Sequence, residues 1–183
     1  MHIDLPYGHG SLRLEIPGVG CCDVLSPASL PPLSDVAAAL SLGLDSPIDA
    51  RRLEDGPRPE SVAIAVPDET RPTPVRDIVP VILDRIFARW PDMERERVTV
   101  IVGGGLHEPS TAEAMARILP PEAARGCKVV PHDAHNSPLA DLGRTSRGTP
   151  VLVNALYAAA DLKIVVGQID PHQFMGYTGG AKG

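Results

Sequence analysis

Four short segments hold most of the residues able to do acid–base or anion chemistry. They are Asp68-Glu69-Thr70-Arg71-Pro72-Thr73-Pro74, Gly103-Gly104-Gly105-Leu106-His107-Glu108-Pro109-Ser110, Pro131-His132-Asp133-Ala134-His135-Asn136, and the run from Gly167 to Gly183 with Asp170-Pro171-His172 and Gly176-Tyr177-Thr178-Gly179-Gly180-Ala181-Lys182-Gly183. His107 follows three glycines, which let backbone approach a ligand closely; it can serve as an acid or base, cap the next helix, or stand in solvent. His172 has the same options, and Asp170 either orients its imidazole or begins a turn. Asp68 and Arg71, three apart, hold an anion through the guanidinium or form an ion pair with each other. His132, Asp133 and His135 have a spacing compatible with a metal, and equally with a solvated loop. The stretch Gly176 to Lys182 resembles a phosphate-binding loop but departs from the Walker pattern, because Ala181 precedes the lysine and Gly183 follows it.

Each segment follows a predicted strand. Val62 to Val66, Val98 to Val102, Lys128 to Val130 and Leu162 to Val166 are apolar runs of the kind found in strands covered on both faces of a parallel sheet. A weaker strand is expected at Val151 to Val153, with a short helix from Asn154 to Ala160. Between the first two strands Val75, Ile78, Val79, Ile82, Leu83, Ile86, Phe87 and Trp90 form one helical stripe, with Thr73 expected as N-cap, Pro74 as the first helical residue and Pro80 expected to bend or break the helix. Ser110 or Thr111 is expected to cap a helix ending at Leu119. Upstream, residues 2–16 read as a β-hairpin, Ser34 to Leu42 as a helix stopped by Gly43, and Pro47 to Leu53 as a second short helix. The fold class is therefore α/β, a mostly parallel, Rossmann-like sheet with helices on both faces, preceded by an N-terminal β-hairpin. Residues 1–60 form the hairpin and a Pro-rich lead-in packed on the core, and residues 61–183 form the α/β core. In such a sheet the carboxyl ends of the strands share one edge, where ligands bind, so the four segments are expected to converge there.

The averages exclude several classes of function. The chain has 183 residues with 17 Lys and Arg against 23 Asp and Glu, a net charge of −6, and no cluster of basic residues to suit a nucleic acid. No apolar run reaches the roughly 20 residues needed to span a bilayer. The N-terminus lacks the charge-then-apolar pattern of a signal peptide, so the expected location is cytoplasmic. Three cysteines, two of them the neighbours Cys21 and Cys22, make no disulfide framework. The final glycine-rich run suggests a sequence that stops inside a functional motif.

Together the segments resemble the N-terminal domain of the nickel-dependent lactate racemase family, above all in Gly105-Leu106-His107-Glu108-Pro109-Ser110 and in Pro171-His172 followed by Gly176 to Gly183. The resemblance implies an isomerase, a racemase or epimerase of a 2-hydroxy acid, that uses a nickel-pincer nucleotide, a pyridinium-3,5-bisthiocarboxylate mononucleotide joined to Lys182. It implies that His107 and His172 are the acid–base pair, that Arg71 binds the substrate carboxylate, and that Asp68, Gly179 and Gly180 lie at the cofactor. It places no metal ligand within these residues: the protein's own nickel ligand and a further substrate lysine are expected in a following domain, without which this stretch is expected to be inactive. The implied partners are a small 2-hydroxy acid, the cofactor-synthesis enzymes and that C-terminal domain, with no nucleic acid and no membrane. Glu108 stands where lactate-specific members are expected to carry a basic residue, which opens the substrate to another 2-hydroxy acid or a sugar acid. The competing readings are a non-catalytic α/β module that binds a nucleotide or phosphate, and a family member retained for a structural role.

Overall fold

The computed structural model describes residues 2–18, 23, 29–172, 174 and 176–179. Contacts divide the chain into two units, Met1–Pro32 and Leu33–Gly183. In the first, strands β1 (His2–Tyr7) and β2 (Gly10–Glu15) form the expected antiparallel hairpin. Its turn uses Gly8 at φ +57°, and the directly opposed Asp4 and Arg13 pair at 3.1 Å. Cys21 and Cys22 lie outside the described residues.

The second unit is built on a four-stranded parallel sheet, in the order β5 (Lys128–His132), β4 (Val98–Gly103), β3 (Val62–Pro67), β8 (Leu162–Val165). Alternate side chains of the central strands feed opposite faces. Val62, Ile64 and Val66 of β3, with Val98, Val100 and Val102 of β4, pack against Val79, Ile82, Leu83 and Ile86 of helix α2 (Val75–Arg89). Helix α1 (Val36–Asp45) adds Leu40 and Leu44 to this layer, and α3 (Ala112–Ile118) adds Met115 and Ile118. The reverse face is thinner: Ala63, Ile101 and Ala160 gather there with Tyr157 of the short helix α4 (Ala155–Ala159). Leu83 is fully enclosed, at 0% exposure. Leu83→Ala should therefore lower unfolding stability by about 2–5 kcal/mol in a denaturant titration, through lost burial and an unfilled cavity.

Several local expectations change. Helix α1 starts where Asp35 accepts a bond from the Ala38 amide at 2.8 Å, but it runs through Gly43 to Asp45, because Leu44 is held on the core beyond the glycine. The second short helix reduces to a single 3-10 turn at Leu53–Asp55. Within the second unit, α1 and the 53–55 turn are joined to α2 by Arg85, which bonds Ser41 O at 3.2 Å, Asp45 at 2.6 Å and Glu54. Pro80 sits inside an unbroken α2. The carbonyl it leaves without a donor belongs to Arg76, an exposed residue, so water can serve it. The expected strand at 151–153 exists as β7 (Pro150–Asn154), but it pairs antiparallel with β6 (Leu139–Arg144) in a separate hairpin instead of joining the parallel sheet.

Candidate active site

Strand β3 is flanked in the sheet by β4 and β8, so the loops that follow these three strands are neighbours at the carboxyl edge. Side chains tie them together. Immediately after β3, Asp68 is only 4% exposed. Its Oδ1 accepts the Thr70 hydroxyl at 2.6 Å and the Thr70 amide at 3.2 Å, a local turn bond that fixes the carboxylate plane. Its Oδ2 meets Nδ1 of His107, from the loop after β4, at 2.7 Å. Burial pushes the Asp68 carboxyl up, but the Thr70 hydroxyl, His107 and the Thr70 amide together outweigh it and hold the group below its ordinary value. The carboxylate is thus ionised and can only accept, so the neutral His107 ring carries its proton on Nδ1 and keeps a lone pair on Nε2. The imidazole is 47% exposed, so a substrate can reach it.

The glycines before His107 have separate tasks. A Cβ on Gly104 would stand 2.6 Å from Asp68 Oδ2 and 3.3 Å from His107 Cβ, so the pair forms only because position 104 has no side chain. Gly105 takes φ +63°, which closes a turn with the His107 amide bonded to Gly104 O at 3.1 Å. Thr111 caps α3, accepting from Ala114 N at 3.2 Å, and Ser110 instead donates its hydroxyl to Glu69 at 2.6 Å, a second bridge between the β3 and β4 loops.

On the other side, Thr73 is not the cap of α2. Its hydroxyl donates to Gln168 Oε1 at 2.8 Å, joining the β3 loop to the segment after β8, while Pro74 occupies the cap position without a side-chain bond. Gln168 in turn donates to Asp170, whose amide donates to the Thr178 hydroxyl at 2.8 Å and whose carbonyl accepts the Thr178 amide at 2.8 Å. Asp170 therefore closes a turn. Within it β9 (Pro171–His172) and β10 (Gly176–Tyr177) pair antiparallel. The Phe174 amide donates to His172 Nδ1 at 3.2 Å, so the neutral His172 ring carries its proton on Nε2. Gly179 has φ +91°, and a Cβ there would lie 3.1 Å from Gln168 O and 3.0 Å from Ile169, so only glycine suits the position. Gly180 and Lys182 lie outside the described residues.

The structure thus brings Asp68 and His107 into contact and sets His172 and Gly179 on the adjacent loop. Asp68 and Arg71 do not pair: the carboxylate is taken by Thr70 and His107, and the exposed Arg71 guanidinium has no partner among the described residues. The segment after β5 is a turn. Asp133 Oδ1 accepts the His135 and Asn136 amides at 2.8 and 2.9 Å, and His132 Nδ1 meets Asn154 at 3.0 Å, leaving no group of three His, Cys, Asp or Glu among the described residues able to hold a metal. No helix among the described residues is long and apolar enough to cross a membrane. Sequence reasoning missed Thr70, Gly104 and the Thr73–Gln168 tie. The Asp-x-Thr spacing is a turn signal that points to the first; nothing local points to the last.

The lactate racemase N-terminal domain family matches residues 7–183. The lactate racemase of Thermoanaerobacterium thermosaccharolyticum is 28% identical over 99% of the chain, and that of Lactiplantibacillus plantarum is 29% identical over 98%. The chain spans 43% of the length of each. The solved structure of the lactate racemase apoprotein from Thermoanaerobacterium thermosaccharolyticum superimposes with a TM-score of 0.77 and 25% identity, covering 98% of this chain and 42% of that one.

Proposed function

Because the chain belongs to the lactate racemase N-terminal domain family, we propose that it supplies the acid–base residues of a racemase or epimerase of small 2-hydroxy acids that works with a nickel-pincer nucleotide. The observation that carries this reading is the Asp68–His107 pair: an exposed imidazole with a lone pair on Nε2, backed by a buried carboxylate, at the edge where parallel sheets bind ligands.

The substrate explains the residue types. A carboxylate acidifies the neighbouring carbon poorly, so direct removal of the α-proton is a poor route, and the chain's task is to move the hydroxyl proton instead. His107 takes that proton at Nε2, and Asp68 balances the positive ring that results. His172 serves the opposite enantiomer, since either hand of substrate needs a base within reach; it does so once its ring gives up the Phe174 amide and carries its proton on Nδ1, which frees Nε2 to accept. Arg71, a cation without a partner among the described residues, binds the substrate carboxylate. Lys182 would hold the cofactor covalently, with Gly179 and Gly180 the glycines that precede it in sequence. When bound, the cofactor would supply a reversible acceptor for the α-hydrogen and its electron pair, leaving the movement of the hydroxyl proton to the histidines. The donor set fits such a group: with Arg71 given to the substrate, the left-handed turn at Gly179 leads in sequence to Lys182, a glycine-rich backbone that can approach a nucleotide closely ahead of the attachment point.

The test is to produce the full-length protein together with the cofactor-synthesis enzymes, measure its intact mass, and follow single enantiomers of lactate, other 2-hydroxy acids and sugar acids by chiral chromatography. A mass increase mapped to Lys182 together with loss of optical purity is expected. A protein loaded at Lys182 that interconverts none of these acids, or an unmodified Lys182 with reversible nucleotide binding, would overturn the proposal. In either result the domain becomes a binding module.

A further inference from the structure

We propose that Asp68 is a positioning residue whose task is to choose the tautomer of His107, a role that deepens the acid–base reading above and depends on it for its catalytic meaning. The resemblance assigns this carboxylate to the cofactor, but its oxygens are already committed: Oδ1 to two donors of Thr70 and Oδ2 to His107 Nδ1, in a residue almost closed to solvent. The commitment has a direction. The Thr70 amide is a donor only, so whatever atom stands at the Oδ1 position must be an acceptor. That fixes which way round an amide would sit if asparagine replaced the aspartate. Its oxygen must stay with Thr70, and its NH2 must therefore face His107 Nδ1 across the 2.7 Å contact. Two N–H groups cannot point at each other there, so the ring must move its proton from Nδ1 to Nε2. The atom that is to receive the substrate hydroxyl proton is then already protonated.

The two histidines are preset in opposite ways. His107 rests with its proton on Nδ1 because it faces a carboxylate; His172 rests with its proton on Nε2 because a backbone N–H faces its Nδ1.

The proposal makes an unusual ordering the expected one. If Asp68 merely filled space and satisfied Thr70, the isosteric Asp68→Asn would be mild and Asp68→Ala severe. If Asp68 selects the tautomer, asparagine imposes the wrong ring state while alanine leaves both states accessible, so Asp68→Asn should be the worse variant. We expect interconversion to fall about 100-fold or more in Asp68→Asn, by analogy with the same exchange in a Ser-His-Asp triad, and clearly less in Asp68→Ala. The direct readout is 15N NMR of the histidine rings of the purified protein above the pH of their titration. In the wild type His107 should show an unprotonated Nε2 and His172 an unprotonated Nδ1; Asp68→Asn should give His107 an unprotonated Nδ1 and leave His172 unchanged. A His107 ring that keeps its tautomer in Asp68→Asn, or Asp68→Ala being the more damaged enzyme with both variants folded, would overturn the role. The ring states are read without turnover, so the expected spectra in a loaded protein that interconverts no 2-hydroxy acid would support the role of Asp68 and sink only the racemase reading.

Discussion

His107→Ala and His172→Ala, each made in the cofactor-loaded full-length protein, are expected to cut interconversion of a 2-hydroxy acid by roughly 10²–10⁴-fold while leaving the mass of the loaded protein otherwise unchanged. That range is what a positioned general acid or base contributes. Neither ring holds up the fold: His107 is half open to solvent, and His172 lies on a pair of two-residue strands outside the core. The two losses should also fail to add, because a racemase lacking either group is already stopped in one half of its cycle, and the double variant should be no worse than about the poorer single one. Chiral chromatography of each enantiomer checks both points. Substantial residual activity in either single variant would remove that histidine from the chemistry.

Gly104→Ala is expected to come close to the same loss without touching any polar group. The added methyl would sit 2.6 Å from Asp68 Oδ2, a distance real side chains do not tolerate, and Asp68 has no room to retreat because Thr70 holds its other oxygen. Either the carboxylate leaves His107 or the Gly104–His107 turn opens; in both cases the ring loses its orientation. Activity should fall at least as far as in Asp68→Ala where only the carboxylate moves, and toward the His107→Ala loss where the turn opens, with a stability cost of about 1–3 kcal/mol in denaturant titration from the strained contact. By contrast Gly105→Ala meets no neighbour within 4 Å but must hold φ +63°, so its cost should appear as stability more than as lost turnover. A Gly104→Ala protein with wild-type turnover would show that the close packing of these three residues is not needed.

The parallel core was legible because burial on both faces writes itself into composition: a run such as Val62 to Val66, five apolar residues without a polar face, suits a short strand closed on both sides. The stripe from Val75 to Trp90 likewise announces a helix on a core. The strands that left no such mark, β6 and the two short strands around His172, are mostly exposed, and none of them carries a hydrophobic alternation to read. At the site, the histidines and the carboxyl-edge placement came from residue type and order. Partners did not. Thr73 has the sequence of a helix cap, and only the fold shows Gln168, 95 residues away, drawing off its hydroxyl. Asp68 beside Arg71 reads as an ion pair along the chain, while His107, 39 residues on, wins the contact because parallel pairing of β3 and β4 delivers it there. Contacts of that kind belong to topology, and local sequence carries no record of them.

The different anchoring of the two histidine loops has a kinetic meaning. His107 hangs between the strands whose amides should be the last to exchange with deuterium, and is pinned to a buried acid; His172 rides on a ladder of two residue pairs that local opening can undo cheaply. On the racemase reading proposed above, a flat 2-oxo acid that must present its second face needs slack in its surroundings, and the His172 side is expected to provide it while His107 stays held, with the Thr73–Gln168 bond the nearest tie between the β3 and β8 loops.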